Sequence, residues 1–230
     1  MSTEPCKGFL KRNVGKRIDV IVLYADVDGS TRMSLHLSDR QIARIIQVFT
    51  REMSLVITSY EGYLFKHVGD AVVALFPKGD NVKKMCEDAI HCSKNMIEVL
   101  EYVNPALKSH GLPPITTKVA FDYGGVLVVR YGKKLEKSHV DIVGRTISIV
   151  AKMLPYAKLT RVIAGQSLYD TLSDHKSKEL FTYCNVEKLG WSYIEERNGY
   201  PYKLYSLMLE QSASTFILFM DNDDGFSSAI

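Results

Sequence analysis

Residues 18–31, Ile-Asp-Val-Ile-Val-Leu-Tyr-Ala-Asp-Val-Asp-Gly-Ser-Thr, constrain the fold more than any other stretch. Their β-branched and aromatic side chains predict a strand, and the long apolar run predicts a central place in a sheet. The strand delivers Asp26 to its end, and Asp28, Gly29, Ser30 and Thr31 then turn the chain toward a helix. A carboxylate at a strand end beside a small flexible turn can hold a divalent metal. The turn's backbone N–H groups suit an anion such as a triphosphate. Residues 63–76 predict a hairpin whose Gly69 supplies a permissive backbone and whose Asp70 adds a second carboxylate.

The chain has 230 residues, enough for one large domain or for one domain with small appendages. A net charge of +3 without a basic stripe argues against nucleic acid or an acidic membrane as partner. No apolar run approaches the ~20 residues that span a bilayer. The polar, basic N-terminus lacks the apolar stretch of a secretory signal. Cys6, Cys86, Cys92 and Cys184 have no metal-ligand pairing and read as reduced thiols of a cytoplasmic protein.

Taken in order, residues 1–16 read as a loose leader or short helix. Ser38 and Asp39 cap a helix whose apolar residues Ile42, Ile45, Ile46, Phe49, Met53 and Ile57 follow helical spacing. The hairpin follows, with strands at 63–67 and 71–76. A long helix is predicted over 81–103 and a connecting loop from Pro105 to Pro114. Two strands, 115–121 and 126–131, are separated by Asp122-Tyr123-Gly124-Gly125. Beyond a charged loop and the segment 139–143, Gly144 opens a helix that Pro155 stops. A strand at 161–164, a short helix at 167–172 and strands at 181–186 and 202–207 complete a domain over 17–209. Residues 210–230 read as a mobile tail. The order βαββα followed by further αβ units predicts an α+β sandwich, a mixed sheet covered by helices.

If the strands bearing Asp26 and Asp70 are neighbours, their carboxylates converge. Two hard oxygen donors plus substrate phosphates suit Mg²⁺ or Mn²⁺. Taken singly, each acid reads rather as a turn cap, and neither alone is persuasive.

At this point the chain resembles a known family. Leu-Tyr-Ala-Asp26-Val27-Asp-Gly29-Ser30-Thr31 is similar to the opening motif of class III nucleotide cyclases. Lys66-His-Val-Gly69-Asp70-Ala-Val-Val-Ala-Leu-Phe76 is similar to the second motif, and Asp141-Ile-Val-Gly144-Arg145-Thr-Ile-Ser148-Ile-Val-Ala-Lys152 to the third. The resemblance implies a largely antiparallel sheet flanked by helices, with a ferredoxin-like, palm-like core. It also implies conversion of a nucleoside triphosphate to a 3′,5′-cyclic monophosphate and pyrophosphate with two divalent cations. On that pattern Asp26, Asp70 and the Val27 carbonyl ligate metal, and Gly29, Ser30 and Thr31 face the phosphates. In a head-to-tail homodimer the partner supplies Lys66 and Asp141 at the base, Ser148 at the ribose and Lys152 at the triphosphate, so that each site is composite.

Two positions depart from the family pattern: Ser148 stands where Asn is usual, and Lys152 where Arg is usual. Serine donates one hydrogen bond at shorter reach, and lysine is a point charge without the bidentate fork. Arg145 is an extra cation able to compensate in part. These changes admit a competent cyclase with altered geometry, one with another base preference, or a degenerate copy that binds nucleotide as a sensor. Lys66 with Asp141 suits adenine, and the acid can equally accept from the cytosine amine or the uracil N3–H. The wider pattern, including Asn104-Pro-Ala-Leu107 and Val128-Val-Arg130, resembles the stand-alone pyrimidine cyclases of bacterial anti-phage (Pycsar) systems. Such enzymes make cyclic UMP or cyclic CMP for a separate effector protein. By the resemblance Arg197, before Asn198-Gly199, stands roughly where the family places a phosphate-binding cation, and it reads equally as a solvated turn arginine. His67, Trp191 and Tyr193 read as structural, and Asp28 as a turn acid.

Overall fold

The computed structural model describes residues 3–132, 138–158, 161–195 and 199–209. In chain order its elements are α1 (Glu4–Arg12), β1 (Arg17–Val27), α2 (Ser30–Met33), α3 (Asp39–Ser59), β2 (Tyr63–Val68) and β3 (Ala71–Pro77). Next come α4 (Val82–Glu98), α5 (Leu100–Ser109), β4 (Thr117–Tyr131), β5 (His139–Val143) and α6 (Arg145–Met153), with a 3₁₀ turn at Leu154–Lys158. The last are β6 (Val162–Gly165), α7 (Gln166–Thr171), α8 (His175–Glu179), β7 (Phe181–Cys184), α9 (Val186–Leu189) and β8 (Leu204–Leu207).

The strands form one sheet in the order β2-β3-β1-β4-β6-β8-β7, with β5 pairing the far half of β4. Among the described strands only β4 and β6 run parallel, so the sheet is mixed and largely antiparallel, as expected. Strand β1 is central because both of its faces are apolar. Ile21, Leu23 and Ala25 pack with Ile45, Phe49 and Met53 of α3 and Met85, Ala89 and Met96 of α4. Val20 and Val22 pack on the other face with Cys6 and Leu10 of α1 and Ile149, Val150 and Met153 of α6. By the period of two, Asp26 continues the Val20–Val22–Tyr24 face. Helix α3 starts where Ser38 and Gln41 form a reciprocal capping box.

The structure corrects two expectations. Residues 115–131 do not make two strands: β4 runs unbroken through Asp122-Tyr123-Gly124-Gly125. Gly124 is there for close approach, since a Cβ would sit 2.5 Å from Thr146 Oγ1 of α6. The predicted helix over 81–103 is two helices meeting at Val99, and Pro105 lies inside α5. Burial of Leu100, Val103 and Leu107 offsets the hydrogen bond that Pro105 forfeits. Asn104 then fastens α5 to the entry of β4, accepting from Ile115 N–H at 2.8 Å and donating to its carbonyl at 3.0 Å. Of the two readings of the N-terminal segment the short helix is the one found: α1 packs on β2 and β5, with Cys6 and Leu10 fully buried. All four cysteines are free thiols, and burial pushes Cys6 up to about 12 and Cys86 up to about 11. The 210–230 segment lies outside the described residues, and no helix among the described residues is long and apolar enough to cross a membrane.

Candidate active site

Antiparallel pairing of β1 with β3 matches Ala25 to Val72, which sets Asp26 beside the Gly69-Asp70 turn. Gly69 makes that two-residue turn possible with φ of +63°. The two acids therefore converge from different strands. Burial first, and then the Asp70 carboxylate, push the Asp26 carboxyl up to about 6, against the pull of Lys118. Asp70 Oδ2 is buried without a hydrogen-bond partner, a state that costs free energy unless something binds there.

On the other side of β1, Asp26 pairs with Lys118 of β4. The Lys118 ammonium lies 3.3 Å from Asp26 Oδ2 and 3.5 Å from Asp28 Oδ1, and its side chain is only 17% exposed. Sequence reasoning missed this residue; its signal was a lone cation at the start of an apolar strand. The Thr117 hydroxyl donates to the Asp26 carbonyl at 2.8 Å, and Asp28 N–H to the Thr116 carbonyl at 2.8 Å. These bonds fix the backbone at Val27 and at the start of the turn. Gly29, Ser30 and Thr31 then lead into α2, where the Gly29 carbonyl accepts from the Arg32 and Met33 N–H groups at 2.9 and 3.0 Å and no side chain caps the helix.

A second cluster joins strands that are not neighbours. Lys66 of β2 places its ammonium 2.8 and 3.0 Å from the two oxygens of Asp141 on β5. The Ile142 N–H donates to Asp141 Oδ1 at 2.8 Å, and His139 Nε2 stands 3.7 Å from Oδ2. Tyr24 faces this region: burial, and then Asp141, raise its phenol. Helix α1 backs the cluster, because Cys6 and Leu10 share an apolar core with Phe65, Val140 and Ile142, the chain neighbours of Lys66 and Asp141.

The third cluster is on α6. Ser148 is exposed, and its hydroxyl donates to the Gly144 carbonyl at 3.1 Å. Arg145 donates from Nε to the Tyr193 hydroxyl at 3.0 Å, and its Nη2 lies 3.5 Å from Glu195 Oε1. Lys152 is exposed at the rim of a cavity of about 490 Å³ lined also by Pro155, Tyr156, Trp191, Ser192 and Tyr193. Arg197 lies outside the described residues. His67 is exposed and Trp191 buried. Among the described residues, no hydrogen bond or ion pair links Asp26 or Asp70 to Ser148 or Lys152.

Sequence reasoning also missed Asp122, which it placed in a turn. The residue is 1% exposed, and its carboxylate accepts from the Tyr123 and Leu168 N–H groups and from the Tyr202 hydroxyl. Burial pushes it up to about 6 despite those three donors.

Comparison with known proteins bears on the fold and the family. The model of the adenylate and guanylate cyclase catalytic domain family matches residues 14–195. A uridylate cyclase of Rhodovulum is 29% identical over 195 residues, covering 80% of this chain and 78% of that protein. A cytidylate cyclase of Escherichia coli is 24% identical over 161 residues, 66% of this chain; the matched part is 35% of that protein. The crystal structure of the guanylyl cyclase Cya2 superposes with a TM-score of 0.70 at 18% identity, covering 85% of this chain and 94% of its own. With the motifs, the sheet and the family match in agreement, this chain belongs to the adenylate and guanylate cyclase catalytic domain family.

Proposed function

We propose that this protein is a metal-dependent nucleotide cyclase that works as a homodimer and converts a pyrimidine nucleoside triphosphate to its 3′,5′-cyclic monophosphate and pyrophosphate. The observation that carries the reading is the Asp26–Asp70 corner, where two carboxylates converge and one buried oxygen lacks any partner. That corner fits divalent cations. Among the described residues no cluster of three or more metal-ligating side chains exists, so substrate phosphates would complete the shell, as Mg²⁺ and Mn²⁺ favour. Asp26, Asp70 and the Val27 carbonyl would hold two such ions. When bound, they supply charge neutralisation at the phosphates and make the 3′-hydroxyl more acidic.

The protein's own groups position the rest. Lys66 donates to the base and Asp141 accepts from a cytosine amine or the uracil N3–H, each held in place by the other. Gly29, Ser30 and Thr31 are assigned to the phosphates, Ser148 to the ribose and Lys152 to the triphosphate, while Arg145 is held by Tyr193 and Glu195. The 3′-oxygen attacks the α-phosphorus, loses its proton, and pyrophosphate leaves; catalysis is by alignment and electrostatics. Two facts favour sites shared between two copies. Among the described residues, no hydrogen bond or ion pair joins the metal corner to Ser148 or Lys152 within one chain. The β4–β5 ribbon also exposes Leu127 (40%), Tyr131 (53%) and Val143 (36%) on the face that carries Asp141.

The pyrimidine preference draws on the uridylate and cytidylate cyclases among the relatives, and with it a role in anti-phage signalling through a separate effector protein. The test is incubation with Mn²⁺ and each of ATP, GTP, CTP and UTP, with products identified by mass spectrometry. Cyclic UMP or cyclic CMP is expected. Cyclic AMP alone would make the protein an adenylate cyclase, and no product from a folded dimer would make it a nucleotide sensor.

A further inference from the structure

Helix α6 presents Arg145 and Lys152 seven residues apart, hence on one face, and both cations meet the same ring. The Arg145 guanidinium carbon lies 5.6 Å and the Lys152 ammonium 5.7 Å from the centre of Tyr193. The two are held differently. Arg145 is tied down by the Tyr193 hydroxyl and by Glu195, and it also lies 5.3 Å over the ring of Tyr202. Lys152 has the ring and no ion pair or hydrogen bond among the described residues.

That ring is itself fixed. Tyr202 packs edge-on against it at 6.0 Å, Trp191 lies at 6.0 Å, and Tyr202 N–H donates to the Tyr193 carbonyl at 2.8 Å. Trp191 Nε1 donates to the Tyr202 carbonyl at 2.9 Å, and the Tyr202 hydroxyl donates to buried Asp122. A run of contacts thus leads from a carboxylate inside the sandwich to an ammonium at the rim of a cavity. A carboxylate in place of the ring would neutralise that ammonium and compete with phosphate for it. An aromatic face restrains the lysine and leaves its charge available.

We propose that Tyr193 is a positioning residue for nucleotide turnover, keeping Arg145 as an anchor of α6 and holding Lys152 over its ring for delivery to a phosphate. The inference rests on the assignment of Lys152 to the triphosphate above. It is tested by steady-state turnover and by calorimetric titration with inorganic tripolyphosphate in Mn²⁺. The proteins are wild type, Tyr193→Leu, Tyr193→Phe, Lys152→Ala and the Tyr193→Leu/Lys152→Ala double variant. Tyr193→Leu is expected to weaken tripolyphosphate binding and raise KM about two- to fivefold, the scale of an exposed cation–π contact, with kcat changed less. Tyr193→Phe, which keeps the ring, is expected to bind as wild type does. In the Lys152→Ala background, read by tripolyphosphate binding alone, Tyr193→Leu is expected to add nothing, because it acts through that lysine.

Tyr193→Met replaces Tyr193→Leu if the latter does not melt cooperatively. Losses that add in the double variant, or a Tyr193→Leu protein with wild-type affinity and KM, would overturn the positioning role alone. A Lys152→Ala protein that binds tripolyphosphate as tightly as wild type would instead overturn the phosphate role of Lys152, and the positioning role with it.

Discussion

Asp26 is drawn out of water at the end of β1 and set beside Asp70, and Lys118 only partly compensates. The metal-free protein therefore carries unfavourable charge at the place where we assign metal. Asp26→Asn is expected to stabilise the metal-free protein at pH 7 by about 1–2 kcal/mol while abolishing turnover. Thermal unfolding in chelator alongside a product assay checks both. Asp26→Ala and Asp70→Ala are expected to leave a folded protein without activity. Asp122 makes a second prediction. Its carboxyl is pushed from an ordinary value of 3.8 up to about 6, so the protonated form is the one folding favours. Its contribution to stability is then fully present below about pH 4 and is lost as pH rises through 6, a swing of about 3 kcal/mol at most. Asp122→Asn is expected to flatten the urea midpoint across pH 4–6, with Asp26 adding a slope of the same sign in metal-free buffer.

At the scale of elements, α1 matters because of what it backs. Leu10 is 1% exposed in the core that also holds Phe65, Val140 and Ile142. Leu10→Ala is expected to cost about 2–4 kcal/mol of stability, the range for an aliphatic cavity. Removing residues 1–12 is expected to raise KM for the nucleotide, because β2 and β5 lose the support that brings Lys66 to Asp141. Urea unfolding and steady-state kinetics read these separately. The same logic explains β4. Its glycines look like a turn in sequence, yet Gly124 exists so that Thr146 of α6 can approach the strand. A glycine pair reports that a side chain is missing, and the neighbour that needs the space is named only by the fold.

For the whole molecule, the shared-site arrangement predicts complementation. Asp26→Ala and Lys152→Ala proteins, each inactive alone, are expected on mixing to recover about a quarter of wild-type activity if subunits exchange freely between symmetric dimers. No recovery, with exchange shown by a labelled subunit, would place each site within one chain.

Local and periodic features were legible in the chain alone: the apolar run of β1, the cap at Ser38, the helical spacing of α3, the hairpin glycine, and the three motifs that named the family. Those signals are contained in short stretches of chain, so spacing suffices to read them. Tertiary structure decided whatever depended on distant partners. It joined Lys66 to Asp141 across non-neighbouring strands, set Lys118 between Asp26 and Asp28, and buried Asp122 under Tyr202. It also turned a presumed leader into the support of the Lys66–Asp141 pair. A charged residue in a strand looks the same in sequence whether it meets water or a buried hydroxyl, because its energy is set by the groups that folding brings to it.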